Sequence, residues 1–303
     1  MGLDVYVGTL TRYHQGEWAT IIQQMGAAGT DVAGVHPDQP PGGEREDAPV
    51  PAARPGESTP HEPIWLDRIE RLLDTLSRWG GGRSRAPAAD PLPVADAVAA
   101  WRTKLNEQLG GQLAQSLDWD ESEAAPYFTD KPAWVGYSCL MLLAAHEEYP
   151  QLPRPTQATD NWADDPAWQL ASRDDFANTR YGHILSPSLW LPCEFARPFS
   201  ADDMAGEDVV VIGSSVALVT QLRELNERTY QGSSEELANW LEGGPEPTVG
   251  ADRTIGSDAG GRQLAEVASA ASPFDHAARF ALALFLELAG KSVAHRLPMT
   301  LDW

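Results

Sequence analysis

Arg12, Tyr13 and His14 stand side by side directly after the alternating stretch Leu3, Val5 and Val7. A guanidinium, a phenol and an imidazole presented from a loop on a rigid strand could bind and polarise a substrate, given a carboxylate to complete an acid–base pair. Asp4, inside the strand, and Asp130, next to Lys131 in YFTDKPAW at 127–134, are the carboxylates suited to that role. Arg12 is the only basic residue in the first 44, and Lys131 the only one between Lys104 and Arg154. Such an isolated cation in an acidic field serves as a structural counter-ion or as part of a site.

Other carboxylates come in runs: Asp118/Asp120/Glu121, Asp164/Asp165, Asp174/Asp175 and Asp202/Asp203. Any two could supply a glycosidase-like pair, but loops and helix caps attract aspartate for purely structural reasons. The seven histidines include no two at helical i, i+4 spacing, and there is no HExxH, so no metal site and no cofactor is expected. Val209 to Ser215 reads as a strand running into a helix, without GxGxxG or a P-loop pattern, so Ser214 or Ser215 is expected as an ordinary cap. No GxSxG supports a nucleophile elbow. Cys139 and Cys193, the only cysteines, are too few for a disulfide framework and read as buried small hydrophobes.

Charge is the strongest compositional feature. The 303 residues carry 44 acids against 22 bases, a net −22. Residues 118–175 hold 12 acids and 3 bases, and residues 200–246 hold 10 acids and 2 bases, so two segments carry −9 and −8 of the total. Such a field repels phosphate backbones and anionic lipid, which excludes nucleic-acid binding by a basic groove and gives no support to a membrane role. It favours a basic protein partner, with Asp118, Asp120, Glu121, Asp164, Asp165, Asp174 and Asp175 as candidate binding residues. The opening residues lack a signal-peptide pattern and no run is long enough for a membrane span, so a cytoplasmic location is expected.

These residues must be positioned by elements legible from periodicity. Leu3 to Val7 predicts a strand with one buried face, followed by a helix from Glu17 through Trp18, Ile21, Ile22 and Met25. Residues 36–60, with seven prolines, form a flexible insertion, and 80–91 and 243–260 form flexible loops. Capped helical patterns are expected after Thr59 (Trp65 to Leu76), from Pro93 (Val94 to Leu113) and from Trp134 to before Pro150. Asp165 caps a short helix over 166–172. Ile184-Leu185, Leu189 to Leu191, Phe195 and Val209 to Ile212 have strand chemistry. Further helices follow Ser214 or Ser215, the Ser233/Glu236 capping box and Ser272-Pro273, and Leu297 to Trp303 returns as a strand. Blocks of helices and strands, rather than regular alternation, predict one integrated α+β domain, mostly helical, with a small mainly antiparallel sheet and long flexible insertions.

MGLDVYVGTLTRY, YFTDKPAW and Leu189-Trp190-Leu191-Pro192 together resemble an uncharacterised bacterial protein family. The resemblance implies one integrated domain and attaches no activity. The expected function is therefore that of an acidic binding module of inhibitor or immunity type acting on a basic partner. The alternatives are an enzyme built on Arg12, Tyr13, His14 and a carboxylate, and a structural scaffold.

Overall fold

In the computed structural model, the described residues are 3–20, 23–24, 91–110, 113, 115–176, 178–206, 208–244 and 271–302. Strands β1 (Asp4–Val7), β2 (Phe128–Asp130), β3 (Leu189–Leu191), β4 (Phe199–Asp202), β5 (Val209–Ser214) and β6 (Met299–Asp302) form one sheet in the order β2-β1-β6-β3-β5-β4. Only β3 and β5 run parallel; the other four pairings are antiparallel. The α+β architecture with a small, mainly antiparallel sheet is thus present. Contacts gather residues 1–21 and 84–303 into one unit and 22–83 into another, and the six described strands belong to the first.

The helices whose bounds lie in the described residues are α1 (Leu10–Gln15), α2 (Pro91–Gln108), α3 (Ala133–Glu148), α4 (Pro166–Ala171), α5 (Gly182–Leu185), α6 (Ser215–Thr229), α7 (Ser234–Gly243) and α8 (Pro273–His295). Several caps match the residue chemistry. Asp165 accepts from Ala167 and Trp168 N–H, Ser214 from Ala217 N–H and Ser272 from Asp275 N–H; Ser233 and Glu236 close a reciprocal capping box.

Alternation along the strands divides the core between the two sheet faces. Leu3, Val5, Val7, Trp190, Met299 and Leu301 pack with α3, α6 and α8 in one apolar cluster. On the other face, Leu189, Leu191 and Ile212 join Val98, Trp101 and Leu105 of α2. That second face is apolar only beneath α2. Its β2-β1-β6 half carries Lys131, Asp4, Asp302, Thr129, Tyr6 and Thr300, beside α1.

Four expectations change. The first helix is α1, six residues from Leu10 to Gln15, because Thr9 caps it and Gly16 takes the left-handed conformation (φ 69°); residues 17–20 are not helical, 23–24 are, and the rest of the helix expected from Glu17 lies outside the described residues. Ile184-Leu185 lies in the short helix α5 rather than a strand, and Phe195 lies outside the strands. The helix from Pro93 starts at Pro91 and stops at Gln108, so it does not extend to Leu113. Strand β1 is buried on both faces rather than one: Asp4 and Tyr6 are 7% and 0% exposed. Strands β2 and β4 had no distinct apolar alternation to announce them. The helix expected over Trp65 to Leu76, the 36–60 insertion and all but the last residue of 80–91 lie outside the described residues, as does 245–260.

Candidate functional site

Strand register builds a polar row at the β2-β1-β6 end of the sheet. Val5 pairs with Asp130 and Asp4 pairs with Asp302, so Asp4 and Asp302 share one face of β1 and β6, and Lys131, the residue after β2, lies beside Asp4. Lys131 Nζ lies 3.5 Å from Asp4 Oδ2. Asp302 Oδ1 accepts a hydrogen bond from the Tyr13 hydroxyl at 2.7 Å. Asp4 Oδ1 is buried and has no hydrogen-bond partner among the described residues. Burial raises the Asp4 pKa above its ordinary value, Asp302 and Asp130 push it the same way, and Lys131 opposes them.

An aromatic wall continues this row. The Tyr6 ring lies 5.3 Å from Tyr13, 5.0 Å from Trp18 and 6.2 Å from Tyr127, and Tyr13 stacks on Trp18 at 5.9 Å. Tyr6 reaches back over Gly8 to donate to Thr9 O at 3.1 Å; a Cβ on Gly8 would sit 2.2 Å from that hydroxyl, so glycine is required here.

Of the three adjacent residues expected to act together, Arg12 and Tyr13 serve different elements. Arg12 Nη1 and Nη2 donate to Ala125 O and Glu123 O, each at 2.8 Å, and its guanidinium lies 5.4 Å from the Tyr127 ring centre. It therefore clamps the 122–125 turn onto α1. The His14 ring meets Tyr13 edge-on at 5.1 Å. Asp130 belongs to the opposite face, paired with Val5, where burial again raises its pKa, the Lys131 N–H counters it and Glu287 reinforces the rise.

The candidate binding acids are largely turned to internal use. Glu121 accepts from Leu10 N–H (2.9 Å), Thr11 N–H (3.0 Å) and Trp119 Nε1 (2.7 Å), which places a carboxylate on the amino end of α1. Asp118 pairs with Arg102 at 3.2 Å and with Arg296 at 2.5 Å. Asp120 accepts from Ser122 N–H at 2.8 Å, which lowers its pKa. Asp164 accepts from Asn161 at 2.7 Å, and Asp165 combines its cap with a 3.1 Å contact to buried His146. The side chains of Asp174 and Asp175 lie outside the described residues.

Ser214 caps α6, and its N–H donates to Nδ1 of fully buried His183 at 3.0 Å, while burial drops the His183 pKa to about 4. The Ser214 hydroxyl donates to Cys193 O at 2.6 Å, so serine and imidazole do not form a nucleophile–base pair. Cys139 is buried and Cys193 half-buried. Among the described residues no three His, Cys, Asp or Glu side chains are grouped to hold a metal ion, and no helix is long and apolar enough to cross a membrane.

Sequence reasoning overlooked Asp302 as a site residue. Its signal was available in the terminal alternation, where Met299 and Leu301 face the core and Thr300 and Asp302 face the opposite way. What it could not show is that this strand lies beside β1. Comparison with protein-family models, with curated proteins and with solved structures finds no match to this chain.

Proposed function

We propose that this chain is an acidic binding protein, of inhibitor or immunity type, whose ligand is a basic partner protein. The supporting observation is how the bases are used. Arg102, Lys104, Lys131, Arg180, Arg228, Lys291 and Arg296 each lie within ion-pair distance of an acid in the same chain. With these bases paired internally, the surplus of acids in the sequence supports a negative outward field. Glu227 at the end of α6 and Glu235 and Glu242 of α7 are exposed and lie outside the described ion pairs. The two α7 glutamates, seven residues apart, share one side of that helix. This supports the 200–246 segment over 118–175 as the outward acidic surface.

An enzyme built on Arg12, Tyr13 and His14 draws less support, because Arg12 is spent on carbonyls of the 122–125 turn while Tyr13 is directed to Asp302. The decisive measurement is binding of purified basic proteins to the immobilised chain at low and moderate salt. Saturable binding that weakens with salt, and weakens further when Glu227, Glu235 and Glu242 are all changed to Gln, is expected. Failure of any basic protein to bind at either salt concentration overturns the proposal.

A further inference from the structure

We infer that the Asp4–Asp302 pair on the β1–β6 face is a binding site for an alkylammonium or guanidinium group, the shared chemistry of a basic side chain and of a free polyamine. This rests in part on the proposed function, since a basic partner is one source of such a group.

Two carboxylates directly opposite each other on antiparallel strands are mutually repulsive, and proteins ordinarily avoid that pairing. Here the row contains one cation, Lys131, at the Asp4 side. Two acids against one base leave the row short of one positive charge when both are ionised. Tyr13 supplies Asp302 with a neutral donor only. The second, independent observation is Asp4 Oδ1: its side chain is 10% exposed, yet this oxygen has no partner among the described residues. A buried carboxylate oxygen without a donor is costly, and a ligand N–H would satisfy it.

The surroundings suit an organic cation. Its charged head would take hydrogen bonds from Asp4 and Asp302, and the aromatic wall of Tyr6, Tyr13, Trp18 and Tyr127 would cover an aliphatic stem and add attraction between cation and ring face.

The test is calorimetric titration of the full chain, at low salt, with spermidine in one arm and decalysine in the other, using wild type, Asp4→Asn, Asp302→Asn and, as a control on the exposed side of α2 outside both acidic segments, Glu107→Gln. Circular dichroism checks that each variant is folded, and having two site variants keeps the test open should one misfold. The inferred site requires both aspartate variants to weaken a probe by about tenfold or more while Glu107→Gln changes it little. Aspartate-dependent binding of decalysine makes the source a polypeptide side chain. If only spermidine binds in this way, the site stands as a receptor for a free amine; decalysine that binds none of the proteins then overturns the basic-protein proposal, and decalysine that binds all of them alike leaves it standing. Decalysine bound equally by wild type and both variants, with no aspartate-dependent binding of spermidine, overturns the site and leaves the basic-protein proposal standing. No binding of either probe overturns the site.

Discussion

Asp4 and Asp302, at opposite ends of the chain, face each other directly across β1 and β6, with Asp4 93% removed from solvent. Folding therefore brings together two like charges that the unfolded chain keeps apart. Because the folded-state pKa of Asp4 is raised, its proton is held more tightly in the native state. The stability it lends is full below the ordinary value of 3.8 and is lost as pH rises through the folded value. Asp4→Asn should therefore be at least as stable as wild type at pH 7, its advantage growing as pH rises from 4. Urea denaturation across pH 4–8 measures this. A less stable variant at pH 7 would mean that the Lys131 pair outweighs burial and repulsion.

His183 predicts the opposite slope. Its folded pKa of about 4 lies below the ordinary 6.5, so the stability from keeping it neutral is present above 6.5 and lost as pH falls through 4. His183→Gln, which can still accept from Ser214 N–H, should flatten the loss between pH 6.5 and 4 by up to about 3 kcal/mol. The check is the difference between the wild-type and variant denaturation curves over that interval; parallel curves contradict it.

Glu121 ties two distant segments together by capping α1 with its carboxylate. Glu121→Ala should cost about 1–2 kcal/mol, since it removes two helix-end bonds and leaves Trp119 Nε1 without its acceptor. Chemical denaturation reads the loss directly. A cost below about 0.5 kcal/mol would show that water replaces the carboxylate at the cap.

Arg12 is expected to act on stability and not on amine binding. Arg12→Lys keeps the charge but cannot span the carbonyls of Glu123 and Ala125 with one planar group, so a loss of about 1 kcal/mol is expected, with faster proteolysis in 122–126. Limited proteolysis and the spermidine titration, run on the same variant, separate the two roles. Weakened spermidine binding with unchanged stability would return Arg12 to the site.

Asp165 carries two duties that substitutions can divide. Asp165→Asn retains a side-chain oxygen to cap α4 but loses the charge beside His146, whereas Asp165→Ala loses both. The alanine variant should be the less stable by about 1 kcal/mol in thermal or urea unfolding. Equal losses would assign the whole effect to the His146 contact.

Local chemistry was legible wherever a side chain acts on its own backbone neighbours. Ser233 with Glu236, Asp165, Ser214 and Ser272 announce their helices because the cap bonds span only two or three residues. Short elements defeated the same approach. Strand β2 has three residues, and Ile184-Leu185, apolar enough for a strand, closes instead as one helical turn from Tyr181 O. Arg12, Tyr13 and His14 are contiguous, which made them look like one unit, yet on a six-residue helix neighbours point about 100° apart, and Arg12 met the 122–125 turn while Tyr13 met β6.

The sequence by itself determined the class of fold, the caps, the negative field and the residue types available for chemistry, because these follow from composition and from interactions along a few residues. Only the tertiary structure decided which acids face outward and which turn in. Glu121 was claimed by α1 at a separation of 111 residues, Asp118 by Arg296 at 178, and Asp302 was set beside Asp4 by strand pairing. Those outcomes depend on which strands become neighbours, and period-2 alternation specifies the face of a side chain without specifying the strand beside it.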